Sequence, residues 1–318
     1  MLRLLFPSFF FLLVLSATGQ NMTQIEKFGK NPGHLRLFVH VPKKLTEGKV
    51  PLVVVLHGCT QDAHGMMRLS GWNKLADENS FIVAYPEQKG TNNANRCFNW
   101  FYGKDTELDK GEVASIHQAV EYMKTNYPID GKRISITGVS AGAVMSVTAA
   151  ALYPGDYASV ASYAGGPYGS GNIISGVGSM FGWVDRKPWE WARRVRLAND
   201  GYRGQYPKMI VLQGTDDKVC NPKNANEVTE QWTGLHELDR DSALIQEGFQ
   251  NNPKVKRTSW SSDETEKVVL YEFDGLGHVL AVDVGNEKDQ GGSNGLFSVD
   301  IDFHSTYWIA KEFGLICP

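Results

Sequence analysis

The stretch Gly138-Val139-Ser140-Ala141-Gly142 decides the fold of this chain. It follows a strand-like run at residues 133–137 and precedes a helix-like run at residues 143–153. A serine on so sharp a turn between a strand and a helix has its hydroxyl exposed, as a nucleophile requires. Glycine is needed two residues before and after the serine, because a side chain there would collide with the neighbouring strand or helix. The stretch therefore predicts a nucleophilic Ser140.

A nucleophilic serine needs a base to take its proton and an acid to orient that base. After a turn of this type, the acid and then the base follow the serine along the chain. The acid is expected just after the strand-like run 209–212, where Asp216 and Asp217 both qualify. We favour Asp217, because a Gly-x-x-Asp-x-Val register would point its carboxylate inward while Val219 packs. Asp216 stays the alternative acid, and otherwise serves as a turn or capping residue.

Three histidines follow the acid, and one of them is the expected base. His236 lies in a polar stretch after a helix-like run, and His304 lies in the run that starts the last helix. His278 is the one in a glycine-flanked loop directly after a strand-like run. The predicted catalytic residues are therefore Ser140, Asp217 and His278.

Two backbone N–H groups are needed to bind the negative oxygen that forms during acyl transfer. One is expected from Ala141, at the start of a helix whose dipole favours negative charge. The second is expected from the loop His57-Gly58-Cys59-Thr60-Gln61, with Cys59 as the candidate and Thr60 as the alternative. His57 itself is interpreted as a structural residue that holds this loop.

Strand-like and helix-like runs alternate along the chain, which predicts a mostly parallel sheet with helices on both faces. Together with the serine turn, this pattern indicates the α/β-hydrolase fold. Strands are predicted at 35–41 (an antiparallel edge), 51–56, 81–85, 133–137, 157–163, 209–212 and, as the last one, 268–273. Helices are predicted at 66–79, 111–126, 143–153, 188–198, after Asn221-Pro222, and at 303–313.

Two segments interrupt the alternation and are interpreted as walls of a substrate cleft. One is the glycine- and serine-rich stretch 165–182, and the other is the polar stretch 234–267. Ordinary surface loops are the alternative interpretation of both. Four aromatic residues could stack on a phenolic acid or a sugar ring, or else belong to the core: Tyr168, Trp183, Trp189 and Trp260.

Composition and the N-terminus narrow the class of protein. The 318 residues carry a net charge of −3 without a basic block, which argues against nucleic-acid binding. Residues 1–19 have the basic, apolar and small-residue regions of a signal peptide, so we expect a secreted protein with a single catalytic domain at residues 20–318. An uncleaved membrane anchor is the alternative, but the apolar run is short for a bilayer and no stable membrane insertion is expected.

The four cysteines form an even set, which suits disulfide bonds in an oxidising compartment. Of the three possible pairings, we expect Cys59–Cys97 with Cys220–Cys317. The cysteine spacings do not resemble a zinc site, and no metal or cofactor is expected.

The motifs taken together resemble a known family over roughly residues 30–315. They are His57-Gly58-Cys59-Thr60-Gln61, Tyr85-Pro86-Glu87-Gln88, Cys97-Phe98-Asn99-Trp100-Phe101, the Ser140 pentapeptide, Gly214-Thr215-Asp216-Asp217, Gly277-His278 and the terminal helix through Leu315. This set is similar to the secreted poly(3-hydroxybutyrate) depolymerase family, which includes related feruloyl and acetylxylan esterases. The resemblance implies a serine esterase that needs no metal or cofactor, and it supports the predicted catalytic residues.

The predicted function is a secreted serine carboxylic-ester hydrolase that cleaves polyhydroxyalkanoate esters through an acyl-enzyme. Its expected partner is an ester substrate, either a polyester oligomer or an acylated polysaccharide, and the sequence indicates no oligomeric state. The alternative is a feruloyl or acetylxylan esterase acting on plant polysaccharide. A lipase or a peptidase of the same fold is a further alternative. A non-catalytic binding protein is disfavoured, because it would be expected to lack one of the three catalytic residues.

Overall fold

The computed structural model describes residues 22–170 and 178–316. The strands are β1 (Thr23–Ile25), β2 (Arg36–His40), β3 (Val50–Leu56), β4 (Ile82–Glu87), β5 (Ile129–Val139), β6 (Ser159–Tyr163), β7 (Lys208–Gly214), β8 (Leu244–Gln246), β9 (Val255–Ser262), β10 (Thr265–Phe273), β11 (Leu280–Val282) and β12 (Ser298–Asp300). The helices are α1 (Ala63–Ser70), α2 (Trp72–Asn79), α3 (Gly111–Asn126), α4 (Ala141–Leu152), α5 (Pro188–Ala198), α6 (Lys223–Leu235) and α7 (Ser305–Glu312).

Ten of these strands form one sheet, in the order β1-β2-β4-β3-β5-β6-β7-β10-β9-β8. The six central strands, from β4 to β10, run parallel. Two antiparallel strands extend the sheet at each edge. Because the central strands are parallel, their carboxyl ends meet at one edge, where such folds build their sites. This arrangement confirms the predicted α/β-hydrolase fold.

The core lies on both faces of the sheet, as expected for buried parallel strands. In β3, Leu52, Val54 and Leu56 pack on the face covered by α3, α4, α5 and α6. Val53 and Val55 pack on the opposite face with α1, α2 and α7. The strand is buried along its whole length, which explains its continuous apolar sequence.

Helix α4 is buried over all twelve of its residues, and its sequence of small and apolar side chains fits that position. It packs against β5, β6 and α3. Gly142, in its first turn, lies so close to the end of β3 that an added Cβ would sit 2.6 Å from the carbonyl oxygen of Leu56 and 2.5 Å from that of His57. The start of the helix is therefore in direct contact with the loop that follows β3.

Three sequence predictions about the fold were wrong. The helix expected at 66–79 is two helices, because Gly71 takes a left-handed conformation (φ 76°) that ends α1. The strand at 268–273 is not the last one, since β11 and β12 follow it as a separate parallel pair. The strand predicted as an antiparallel edge, β2, is antiparallel but is not the edge, because β1 pairs with its outer side. The segment 234–267, interpreted from sequence as a cleft wall, contains β8 and β9, which extend the sheet, and Trp260 in β9 is buried.

The predicted signal peptide, residues 1–19, lies outside the described residues. In the described ranges, none of the helices combines the length and the apolar character needed to cross a bilayer.

We expect Gly142→Ala to lower the free energy of unfolding by about 1–3 kcal/mol, because the new methyl group has to displace the backbone at the end of β3. Urea denaturation of the purified protein measures this. Gly131→Ala in β5 is the matched control, since its Cβ would meet nothing within 4 Å. Equal stability of the two variants would contradict the close approach of α4 to β3.

Candidate active site

Ser140 lies on the turn between β5 and α4 with φ 56° and ψ −119°, a backbone conformation that non-glycine residues rarely adopt. Its amide donates to the carbonyl oxygen of Tyr163 in the next strand, at 2.9 Å. Gly138 lies against the backbone of Gly142, so a side chain at 138 would collide with the first turn of α4. These contacts hold the serine at the carboxyl edge of the sheet, where it is partly exposed.

The structure brings Asp217 and His278 together. Asp217 lies in the turn after β7, and His278 lies in the loop after β10, the strand that pairs with β7. The Nδ1 atom of His278 is 2.7 Å from Oδ2 of Asp217. Asp217 is buried, whereas Asp216 is exposed to solvent. The geometry therefore favours Asp217 over Asp216 as the partner of the histidine.

Four donors surround the carboxylate of Asp217. Oδ1 accepts hydrogen bonds from the amides of Val219 and Cys220, each at 2.8 Å. Oδ2 accepts one from Nε2 of Gln213 at 3.1 Å in addition to that of His278. Burial by itself would raise the pKa of Asp217, but the hydrogen bond and charge of His278, together with the two amides, outweigh burial and hold the pKa below its usual range. The group is therefore an anion at neutral pH.

The reason given from sequence for choosing Asp217 was partly wrong. Val219 was expected to pack inward, but its side chain is 47% exposed. Its contribution to the turn is its backbone amide, which donates to Asp217. The carboxylate points inward because these local amides bind it.

The other two downstream histidines bind backbone carbonyls elsewhere. Nε2 of His236 lies 3.1 Å from the carbonyl oxygen of Pro207, and Nε2 of buried His304 lies 2.8 Å from that of Ser70. Neither lies beside Asp217. Both are structural residues, in agreement with the choice of His278.

The two candidate oxyanion donors, Ala141 and Cys59, line the same cavity as Ser140. The N–H groups of Ala141 and Cys59 have no hydrogen-bond acceptor among the described residues. Thr60, the alternative, already donates its N–H to the carbonyl oxygen of Asn95 at 2.6 Å, so that group is occupied. The arrangement therefore favours Cys59 over Thr60.

The loop that carries Cys59 is fixed in two ways. The predicted disulfide between Cys59 and Cys97 is confirmed, and it ties this loop to the one that follows β4. The His57 side chain is buried and bridges the same loops, since Nδ1 lies 2.7 Å from the Gly58 carbonyl oxygen and Nε2 accepts from the amide of Gln88. Burial lowers the pKa of His57 to about 4, so the ring is neutral and able to accept that hydrogen bond.

The second expected disulfide, Cys220–Cys317, cannot be placed, because Cys317 lies outside the described residues. Cys220 is a buried thiol without a disulfide partner in the described part of the chain. Its Sγ atom lies 2.9 Å from the carbonyl oxygen of Gly165. Burial raises the pKa of this thiol, followed by the effect of the nearby Asp217 charge, so the thiol stays protonated and is a poor nucleophile.

A cavity of about 170 Å³ opens beside Ser140 and Ala141. The Cys59–Cys97 disulfide, Trp100, Phe101, Val144 and Met180 form most of its wall. Among the residues that the structure describes, those lining the cavity carry no charged side chain. Such a pocket suits an uncharged, largely apolar group attached to the carbonyl carbon of an ester.

Sequence reasoning missed the aromatic residues of this pocket. Trp100 and Phe101 line it, although they were noted only as part of a family motif. None of the four aromatic residues named from sequence lines the cavity: Trp183 and Trp189 are exposed, Tyr168 is half-buried and Trp260 is buried. Of the predicted wall 165–182, Met180 contributes to the cavity, and residues 171–177 lie outside the described ranges.

Glu112 is a buried carboxylate that sequence reasoning also missed. It lies in the first turn of α3 and accepts hydrogen bonds from the amide of Asn99 at 2.7 Å, from Nδ2 of Asn99 at 2.6 Å and from Nε2 of Gln88. Asn99 directly precedes Trp100, so Glu112 anchors one wall of the cavity. Burial raises the pKa of Glu112 to about 7, although the Asn99 and Gln88 hydrogen bonds oppose this rise.

The fold and the serine turn define an α/β-hydrolase, and comparison with known proteins places the chain within that class. Residues 35–244 match the family described as esterase PHB depolymerase. The chain belongs to this family. It is 40% identical to poly(3-hydroxyalkanoate) depolymerase C of Paucimonas lemoignei over 316 residues, covering 98% of this chain and 75% of that protein.

Other relatives carry the names of different esterases. Feruloyl esterase B of Talaromyces stipitatus is 29% identical, covering 89% of this chain and 79% of that protein. An acetylxylan esterase of Coprinopsis cinerea is 30% identical, covering 80% and 68% respectively. The structure of an acetyl xylan esterase from Aspergillus awamori superposes with a TM-score of 0.78 at 23% identity, over 93% of this chain and all of that one, and so shares the fold. The protein is a carboxylic-ester hydrolase.

We expect Glu112→Gln to change how stability depends on pH. The pKa of Glu112 is about 7 in the folded protein and about 4.5 when unfolded, so between these values the folded state binds more protons than the unfolded state. The free energy of unfolding of the wild type therefore falls as pH rises through this window, by about 3 kcal/mol from this one group.

The glutamine variant lacks this contribution. The difference in the free energy of unfolding, wild type minus variant, should therefore decrease from pH 4.5 to pH 7.5. Chemical denaturation at several pH values measures the difference. Glu78→Gln, at an exposed position on α2, is the control for replacing a glutamate by a glutamine. A difference that is flat with pH would show that the surroundings of Glu112 are wrongly described.

Proposed function

We propose that this esterase hydrolyses polyhydroxyalkanoate esters with a catalytic triad of Ser140, His278 and Asp217. The observation that carries the proposal is the 2.7 Å contact between His278 Nδ1 and the buried Asp217, at the same sheet edge as the strained Ser140 turn. An anionic acceptor on Nδ1 keeps the proton there, which leaves Nε2 with a lone pair. This is the form of histidine that a general base requires.

In the proposed mechanism, the Oγ atom of Ser140 attacks the ester carbonyl carbon while Nε2 of His278 takes the hydroxyl proton. The amides of Ala141 and Cys59 bind the oxygen that becomes negative. The carbon–oxygen bond to the alcohol then breaks, and the alcohol leaves with the proton from His278. Water, activated by the same histidine, attacks the acyl-enzyme, releases the carboxylic acid and restores Ser140. Asp217 stabilises the imidazolium in both halves of the reaction.

Two observations support a hydroxyalkanoate as the acyl group. The cavity beside Ser140 is small, uncharged and mostly apolar, as suits a short aliphatic chain. The relative at 40% identity is named as a poly(3-hydroxyalkanoate) depolymerase, while the feruloyl and acetylxylan esterases lie at 29–30%. A feruloyl ester is the second candidate substrate, because Trp100 and Phe101 could stack on its phenolic ring.

We also propose that the protein is secreted. The signal-peptide pattern of residues 1–19 and the disulfide Cys59–Cys97 support this, since disulfides persist in oxidising compartments. Residues 20–318 would then form a single mature catalytic domain.

We expect Asp217→Asn to lower kcat by about 1,000- to 10,000-fold on a chromogenic short-chain ester, because the amide no longer stabilises the imidazolium or selects the correct tautomer. The neighbouring Asp216→Asn is the matched control and should stay within about twofold, as expected for an exposed surface substitution. Steady-state kinetics with Ser140→Ala as the blank measures both. Equal loss in the two aspartate variants would refute the assignment of the acid.

We expect kcat/KM to be at least about tenfold higher on hydroxybutyrate trimer than on methyl ferulate, because the bulkier planar acyl group should fit the small cavity less well. Initial rates of the mature protein on both esters test this, again with Ser140→Ala as the blank. Faster release of ferulate would favour the plant-polysaccharide alternative. Turnover that persists in Ser140→Ala would exclude the proposed triad for either substrate.

A further inference from the structure

Gln213 is a buried residue on β7, one position before the turn that carries Asp217. Its Nε2 atom lies 3.1 Å from Oδ2 of Asp217, 3.2 Å from the carbonyl oxygen of Gly214 and 3.4 Å from that of Cys220. Gly214 begins this turn, Asp217 lies in its middle and Cys220 ends it. One side-chain amide therefore contacts the whole turn from inside.

The orientation of the Gln213 amide is fixed by its surroundings. If oxygen and nitrogen were exchanged, Oε1 would face three oxygen atoms, which would repel it. In the observed orientation, Oε1 is buried without a hydrogen-bond partner among the described residues. A buried polar atom without a partner raises the free energy of the folded state, and the hydrogen bonds from Nε2 to the turn offset this. Local costs of this kind are expected at functional sites.

The Asp217 carboxylate has room for about four hydrogen bonds, and all four are made. Two amides hold Oδ1, so the remaining oxygen, Oδ2, is the one that His278 uses. Gln213 is the second donor to Oδ2. Without it, His278 would be the one remaining side-chain partner of Oδ2, and the position of that oxygen would be less tightly fixed.

We propose that Gln213 is a positioning residue of this esterase, which holds Oδ2 of Asp217 in the place where it orients His278. Gln213 acts through Asp217 and does not line the cavity beside Ser140. The inference rests on the proposed triad, since it assigns a role to the partner of the triad acid.

Two variants of Gln213 distinguish positioning from general stability. Gln213→Leu has a similar size but cannot donate, and we expect it to lower kcat/KM by about tenfold or more, as misplaced catalytic groups do. Gln213→Glu places a second carboxyl group beside Oδ2. At pH 8 both groups are ionised and repel each other, so we expect a loss of about 100-fold.

The pH dependence of kcat/KM in Gln213→Glu distinguishes a positioning role of Gln213 from a purely structural one. At low pH two adjacent carboxyl groups share one proton, and the shared O–H then donates to Oδ2 as the amide did. The ratio of wild-type to variant kcat/KM should therefore fall toward about tenfold or less at pH 5. The ratio for Gln213→Leu should stay constant over the same range.

Other titratable groups near Gln213 do not confuse this result. Besides Asp217 and His278, they are the Cys220 thiol in the same turn and, along the groove next to β7, Arg240, Lys256 and Glu272. All of them are present in the wild type and in every variant. The ratio of kcat/KM at each pH removes the part of their titration that the substitution leaves unchanged, and Gln213→Leu, which adds no charge, shows what remains.

Gln231→Leu is the matched control. Gln231 lies on α6 and is buried like Gln213, but its side chain binds the backbone of Tyr168. We expect its ratio to wild type to be the same at every pH. The final extent of labelling by a fluorophosphonate reports the fraction of competent enzyme, so a variant that folds poorly can still be corrected for. A Gln213→Glu ratio that does not change with pH, or losses in both Gln213 variants no larger than that in Gln231→Leu, would overturn the proposal. Full activity in Ser140→Ala would instead overturn the triad itself.

Discussion

The close contact between the start of α4 and the end of β3 is the constraint on which the site depends. Gly142 leaves no room for a side chain against the carbonyl groups of Leu56 and His57. Because of this contact, the loop that carries Cys59 lies directly beside Ser140 and Ala141. This packing interaction brings the serine and both candidate oxyanion donors to one place, and the hydrogen bond from Ser140 to Tyr163 helps to hold the unusual dihedral angles of the turn.

Buried polar side chains position the loops of the site, and they form two separate groups. His57, Gln88, Asn99 and Glu112 bind one another and the backbone around the Cys59–Cys97 disulfide. Gln213 and Asp217 form the second group in the turn after β7. Each group fixes a loop whose backbone could not be held by strand pairing. Helices and strands thus give the site its approximate place, and buried hydrogen bonds set the loops on it.

Much of the fold and the main candidates for the site follow from sequence. Helices α3 and α5 lie at 111–126 and 188–198 as predicted, because their periodicity and the proline at position 188 are local signals. The break at Gly71 was missed, since it depends on a left-handed cap and on contact with distant Gly292. The roles of Gln213 and Glu112 were missed because a buried polar residue is recognised by its partners, and those are set by the tertiary structure.

The distribution of charge agrees with the chemistry of a neutral ester. An ester group is uncharged, and within residues 22–170 and 178–316 the side chains that line the cavity are uncharged as well. In the proposed mechanism, charge appears at only two points, on the carbonyl oxygen and on the imidazole. The amides at the start of α4 and in the Cys59 loop are available for the first, and the Asp217 anion for the second. Because these groups are fixed before the substrate binds, little reorganisation is needed during the reaction, and the rest of the cavity can be apolar and select the acyl group by shape.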